Sequence, residues 1–175
     1  MPKIIENIRE KILEEAQNQL HTNGYAKTTI RSVASSCGIG VGTVYNYFPS
    51  KDIMLSAFML DDWHECIASI EKLDTNDFDN FFIGINQAIG EFVRKYEFLF
   101  KDPDAAAPFV SAFSDKHIRL RQQIAGYIAP VFATQAKDFN DETFLSNHVA
   151  ESMIVWIMSG VNIQDQLTLL RKLCK

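Results

Sequence analysis

The chain has 175 residues, of which 47% are hydrophobic, enough to bury a sizeable core, so a disordered or low-complexity polymer is excluded. Its formal net charge of −5 excludes a protein that holds nucleic acid through bulk positive charge. The charge is uneven, however: up to Lys51 six cations face four carboxylates, a net +2, which leaves −7 for the remainder.

The first segment with helical character carries Arg9, Ile12, Leu13 and Ala16. At Thr28 a hydroxyl is available to cap a new helix, and Ile30, Val33 and Ala34 follow at the spacing of one helical face. Gly38 can take the left-handed conformation that ends this helix without a Cβ penalty. A second short helix is predicted from about Val41 to Tyr47, with Val44 and Phe48 inward and Thr43, Tyr45, Asn46 and Tyr47 outward. Pro49 cannot continue it, Ser50 can cap the next helix, and Lys51 stands at that helix's N-terminus. Two helices joined by a tight glycine turn, the second presenting hydrogen-bonding side chains, form the arrangement that inserts a recognition helix into the DNA major groove.

From Ser50 onward Leu55, Phe58, Met59, Cys66, Ile70 and Leu73 mark one face of a helix, interrupted by Asp62. A bare carboxylate in such a stripe costs several kcal/mol unless it is paired or faces a solvated cavity. Asp62 is therefore either the polar anchor of a ligand pocket or a structural residue with a nearby partner. Asp74-Thr75-Asn76-Asp77 reads as a linker, and Phe78, Phe81, Phe82, Ile85, Ile89, Phe92 and Tyr96 then mark a long amphipathic helix. Asp102-Pro103 and Pro108 predict a turn and a short helix near Ala105 to Ala112. Ser114 opens another helix with Ile118, Ile124, Tyr127, Ile128 and Val131, kinked at Pro130.

Two terminal helices are predicted, from about Asp141 to Ser159 and from about Asn162 to Leu173, with Gly160 as the cap between them. Between Thr143 and Gly160 the only formal charge is Glu151, so the first is apolar nearly all round and must be covered on more than one side. A second copy of the chain is the expected cover, through His148, Ser152, Val155, Trp156, Ile163, Leu167 and Leu170, paired as four helices across a two-fold axis. No strand run or internal repeat is visible.

The residues Gly24-Tyr25, Thr28-Thr29, Val33-Ala34, Gly38-Ile39, Gly42-Thr43-Val44-Tyr45, Phe48 and Ser50-Lys51 together resemble the signature of the TetR family of transcriptional repressors. The resemblance covers about residues 9–54, and its many fixed offsets make it more specific than a bare helix-turn-helix match. Gly40 departs from it, standing where the family usually has a capping serine. The implied architecture is all-α, with a three-helix DNA-binding domain over residues 1–50 and a larger ligand-binding and dimerisation domain over 51–175, about nine helices in all. The implied function is a ligand-responsive regulator, binding a palindromic double-stranded DNA operator as a homodimer and released by a small-molecule effector.

Within that scheme Thr29, Tyr45 and Lys51 are expected on phosphates, and Val41, Thr43, Asn46 and Tyr47 on base edges, with Gly42 allowing close backbone approach. Phe58, Asp62, Trp63, Phe92, Phe109, Phe113 and Tyr127 are the candidate lining of an effector pocket for a lipophilic molecule. The competing reading is a helical binding or metal-dependent bundle with no DNA role, since Asp61, His64 and Glu65, or His148 with Glu151, have ligand-like spacing. On a helical wheel His64 lies opposite the apolar stripe, which speaks against a metal in a bundle interior. No phosphate loop or nucleophile signature is present, so no catalytic residue, cofactor or metal is expected. Cys37, Cys66 and Cys174 show no paired spacing and no charged-then-apolar leader precedes the first helix, so a cytoplasmic location without disulfides is expected. The longest apolar run, Met153 to Met158, falls far short of the roughly 20 residues that span a bilayer.

Overall fold

The computed structural model describes the backbone of residues 7–135 and 142–174, and the side chains of these except 100, 103, 104, 106–117, 135 and 142. The described residues form eight α-helices and no strand: α1 (Ile8–Lys27), α2 (Ile30–Cys37), α3 (Val41–Tyr47), α4 (Lys51–Ile70), α5 (Phe78–Lys101), α6 (Pro103–Gln135), α7 (Glu142–Met158) and α8 (Ile163–Leu173). The chain divides into two compact units, one formed by residues up to 62 with 98–112, the other by 63–97 with the residues from 113 onward.

In the first unit α1 buries Ile12, Leu13, Ala16 and Leu20, with Ala16 four after Ile12 and three after Leu13 and Leu20 four further on, so that they share a face, and it packs on α2. The match between these helices is set by polar groups as well. Gln19 is buried, yet its amide donates to Glu15 (2.7 Å) and Ser36 (3.1 Å) and accepts from Ser32 (2.6 Å), so burying it leaves no group unpaired. A second tie runs along the same seam, where the Lys11 ammonium donates to the Cys37 carbonyl and the Cys37 thiol to the Lys11 carbonyl.

The N-cap of α2 is Thr29 rather than the expected Thr28. Thr29 Oγ1 accepts from the Ser32 amide (2.9 Å) while Ser32 Oγ accepts from the Thr29 amide (2.9 Å), a reciprocal capping box. Thr28 is fully buried and donates its hydroxyl back to the Gly24 carbonyl (2.9 Å). Asp77 starts α5 by accepting from the Asn80 amide, and Asp102 starts α6 by accepting from that of Ala105. Asn162 starts α8 by accepting from the Gln164 amide.

The second unit is an aromatic-rich core. Phe81, Phe82, Ile85 and Ile89 of α5 meet Ile124, Ile128, Val131 and Phe132 of α6, Val149 and Met153 of α7, and Leu167 and Leu170 of α8. Gln166 is buried at 1% exposure with both ends of its amide used, accepting from Asn86 (3.1 Å) and donating to the Val161 carbonyl (2.9 Å). Arg171 of α8 forks onto the Asp79 carboxylate of α5, closing the same helix pair at the surface. Gly160 ends α7 at φ 70°, and the bond from the Val161 amide to the Trp156 carbonyl (2.9 Å) completes the left-handed cap expected there.

The region after Pro103 departs from expectation. The short helix near Ala105 to Ala112 and the helix from Ser114 are one continuous α6 of 33 residues, which brings the count among described residues to eight rather than nine. Pro103 sits in the first turn, where a missing amide costs nothing. Pro130 lies on the exposed side, so burial of Ile124, Ala125, Ile128, Val131 and Phe132 along the other side outweighs the roughly 3 kcal/mol a mid-helix proline forfeits. Asp141, the expected start of α7, lies outside the described residues. Among the described residues no helix is long and apolar enough to cross a membrane.

Burial, reinforced by nearby Glu91, pushes the Cys66 thiol up to about 11. The fold thus favours the neutral thiol: its contribution is complete below the unfolded thiol's range near pH ~8.5 and is lost as pH rises through about 11. We expect denaturant stability to decline across that interval and Cys66→Ala to decline less steeply. A thiol that alkylates at pH 8 as fast in the folded as in the unfolded protein would contradict the assignment.

Candidate nucleic-acid interface

The turn that leads into α3 is built on Gly38, whose φ of 68° ends α2 while its amide and that of Ile39 return to the last carbonyls of the helix. Gly40 opens α3 without a side-chain cap, as its lack of a hydroxyl requires. Val44 and Phe48 then point into the core of the first unit, and the Arg9 guanidinium lies 5.8 Å from the Phe48 ring centre. Fixing these two residues inward turns the rest of the short helix outward. Tyr45 (52% exposed), Asn46 and Tyr47 (44%) face solvent, and Val41 and Thr43 are half-exposed. A Cβ built on Gly42 would meet nothing within 4 Å, so nothing inside the described protein needs a glycine there.

Beside α3 lies an open cleft of about 520 Å³, lined by Thr29, Ile30 and Arg31 from the start of α2, Val41 and Tyr45 from α3, and Pro49, Ser50 and Lys51 at the start of α4. Two helix N-termini thus border one cleft. Ser50 caps α4 through its hydroxyl, which accepts from the Ile53 amide (3.2 Å). Free amides at helix starts and the positive end of each dipole favour an anion. Arg31 is exposed at the cleft's edge.

Lys51 is less available than its position in the sequence implied. Its ammonium donates to the Tyr25 carbonyl and lies 3.4 Å from the centre of the Tyr25 ring, while the Tyr25 hydroxyl donates to Asp52 (2.7 Å). Burial draws its pKa below the usual lysine value, against the opposing pull of Asp52 and Asp102. Thr29 lines the cleft, but its hydroxyl oxygen already serves the capping box.

The seven residues expected to line an effector pocket divide differently. Phe58 is buried and Asp62 half-buried in the first unit, so Asp62 keeps part of its hydration rather than lying bare in a core. In the second unit Trp63 is buried, donates from Nε1 to Gln123 (2.9 Å) and meets Phe92 edge-on at 5.3 Å. Phe92 is half-buried and contacts Tyr96 in turn. Tyr127 is half-buried and bonded to Glu71, which holds its phenol above the ordinary tyrosine value. The side chains of Phe109 and Phe113 lie outside the described residues.

The expected subunit interface also needs revision. Leu167 and Leu170 are 1% and 0% exposed because α8 turns them into the chain's own core, leaving nothing of either for a partner. Ile163, Ser152 and Trp156 are half-buried. The face that remains open on α7 carries Phe144 (55%), His148, Val155 (51%) and Met158, with Val161 and Leu169 beyond it. The His148 ring lies 3.9 Å from that of Phe144 and Nδ1 bonds to the Phe144 carbonyl (2.8 Å). Phe144 and Met158 were legible, since 144, 148, 155 and 158 recur at helical spacing on a face whose one charge, Glu151, is paired with Arg121. Among the described residues no three histidine, cysteine or acidic side chains are grouped to hold a metal ion, and Asp61 and Glu151 are paired with Arg9 and Arg121.

Residues 12–58 match the sequence profile of the bacterial regulatory proteins of the tetR family. The chain is 30% identical over 64 residues to the HTH-type transcriptional regulator UidR of Escherichia coli, a match spanning 37% of this chain and only 33% of that relative. Among solved structures, a regulatory protein in the tetR family from Rhodococcus RHA1 superposes with a TM-score of 0.59 at 18% identity, covering 97% of this chain and 98% of the other. The tetR-family regulator PfmR from Thermus thermophilus does so with a TM-score of 0.55 at 18% identity, covering 96% and 94%. The reading helix and its cleft thus lie inside the segment that matches the tetR-family profile, and the helical order of the chain shares the fold of these solved regulators.

Proposed function

We propose that the protein is a transcriptional repressor that grips an inverted-repeat DNA operator as a homodimer and releases it when a small lipophilic molecule binds. The observation that carries the DNA reading is the outward set on α3, exposed Asn46 and Tyr47 with half-exposed Val41 and Thr43, beside a cleft bordered by two helix N-termini. In this reading α3 enters the major groove and a backbone phosphate occupies the cleft, met by Thr29, Tyr45, Arg31 and the start of α4. Lys51 reaches the phosphate only by leaving Tyr25. The dimer is carried by the apolar face of α7, which otherwise stands in water. The effector would enter near the Trp63–Phe92 pair. Since α4 is one helix from Lys51 to Ile70, a ligand that tilts its later turns also shifts its DNA-side start. Ligand and DNA must then weaken each other by the same factor, about 5–150-fold for a coupling of ~1–3 kcal/mol.

A gel shift on the DNA adjoining the protein's own gene tests the central statement: specific retardation, falling steeply with salt, is expected, with half-sites roughly 34–36 Å or a multiple apart. Lys51→Ala should reduce the salt slope by about one counterion if the ammonium moves to phosphate, and leave the slope unchanged if it stays on Tyr25.

Gly42→Ala should fold at least as stably as the parent, since alanine gains up to about 1 kcal/mol in a helix and its Cβ meets open space. On DNA the same methyl group would stand between backbone and groove, and affinity should fall at least ~10-fold, a loss of ~1.4 kcal/mol. Unchanged affinity would remove the close approach from the scheme.

Light scattering should give twice the chain mass, and Val155→Asp should give a folded monomer with an unchanged far-ultraviolet spectrum. Leu170→Asp should instead unfold the second unit, because it buries a carboxylate in the core. A wild-type monomer at micromolar concentration would end the symmetric operator model.

A further inference from the structure

The side chains on the reading helix are unusual in what they lack, and this narrows the DNA that the proposed function could select. Between Arg31 and Lys51 nineteen consecutive residues carry no formal charge. The commonest specific contact to guanine is a bidentate arginine or lysine on O6 and N7, and cytosine is read by a carboxylate on its N4 amine. Neither chemistry is present on α3. Gly40 and Gly42 offer only backbone at its start. The two flanking cations are placed elsewhere: Arg31 belongs to the first turn of α2, the helix that crosses the phosphate backbone, and the Lys51 ammonium rests on the carbonyl and ring of Tyr25.

What α3 does present is matched to the other base pair. Asn46 is exposed, and its amide can donate to adenine N7 while accepting from N6, the bidentate pairing that no other base completes. Val41 is half-exposed at the start of the helix, five residues earlier, and can cover a thymine C5-methyl, as can the methyl of half-exposed Thr43. We infer that the DNA under α3 is an A·T core in each half-site, with Asn46 reading an adenine and Val41 a thymine methyl, and that no guanine is selected there. This rests on the DNA-binding reading above and names the sequence class it would take.

Selection of duplexes from a random pool with the full-length protein tests it. Each half-site should yield an A·T core of three or four base pairs. Replacing the selected adenine by 7-deazaadenine should weaken the wild type by the factor that Asn46→Ala does, roughly 5–150-fold, and should leave the Asn46→Ala variant indifferent. Replacing the selected thymine by uracil, which deletes only the methyl group, should weaken the wild type and leave Val41→Ala indifferent. A core with an invariant guanine whose 7-deaza replacement costs a comparable factor would overturn the base assignment alone. Failure to enrich any sequence would overturn the DNA-binding reading together with it.

Discussion

The direction of α3 depends on one backbone constraint, the left-handed turn at Gly38. Everything presented by the reading helix follows from where that turn aims it, because α3 has only seven residues and two inward anchors, Val44 and Phe48. So short a helix is not stable through its own hydrogen bonds. Its position is borrowed from α2, which is held by a reciprocal cap at one end and the glycine turn at the other, and from α1, to which Gln19 ties it. A residue with a Cβ at position 38 would strain the turn, and the loss would appear at Asn46 and Tyr47 without either being touched.

The buried polar groups of the two units follow one rule. Gln19 and Gln166 are each placed where an apolar side chain would fit, and each is satisfied at both ends of its amide by groups on other segments. Removing either would leave its partners unpaired in a poorly solvated place, at a cost of about 1–3 kcal/mol, larger than the net gain of the bonds themselves. They act less as sources of stability than as statements of register: α1 meets α2, and α5 meets α8, in the one arrangement that pairs them.

The reading helix was legible in the sequence because glycine and proline punctuate it on both sides, and its bounds agree with expectation to the residue. Thr28 and Thr29 were not separable, since either hydroxyl can cap; burial of the first, decided by tertiary packing, made the second the cap. The proline signal at 108 was read as a break, but a proline's penalty is local and the apolar face of α6 extends over many turns. Leu167 and Leu170 were assigned to a partner because periodicity identifies a buried stripe without saying what buries it. The same ambiguity touched Asp62, where the stripe's geometry was right and the depth of burial was less than the pattern implied. Lys51 lay beyond sequence reasoning altogether, because its hold on Tyr25 joins residues 26 apart through a carbonyl and a ring face, neither of which a motif encodes.

The absence of charge between Arg31 and Lys51 separates two tasks that many DNA-binding surfaces combine. Sliding and hopping along a duplex draw on cations that follow the phosphates, and in this chain those stand at the flanks of the reading helix rather than on it. In the proposed DNA-binding mode, exchanges among the neutral side chains of α3 would alter which sequence halts the protein while leaving the speed of its search nearly constant. On that proposed mode, a lineage carrying this surface would move to a new operator in single substitutions without first losing its hold on the phosphates.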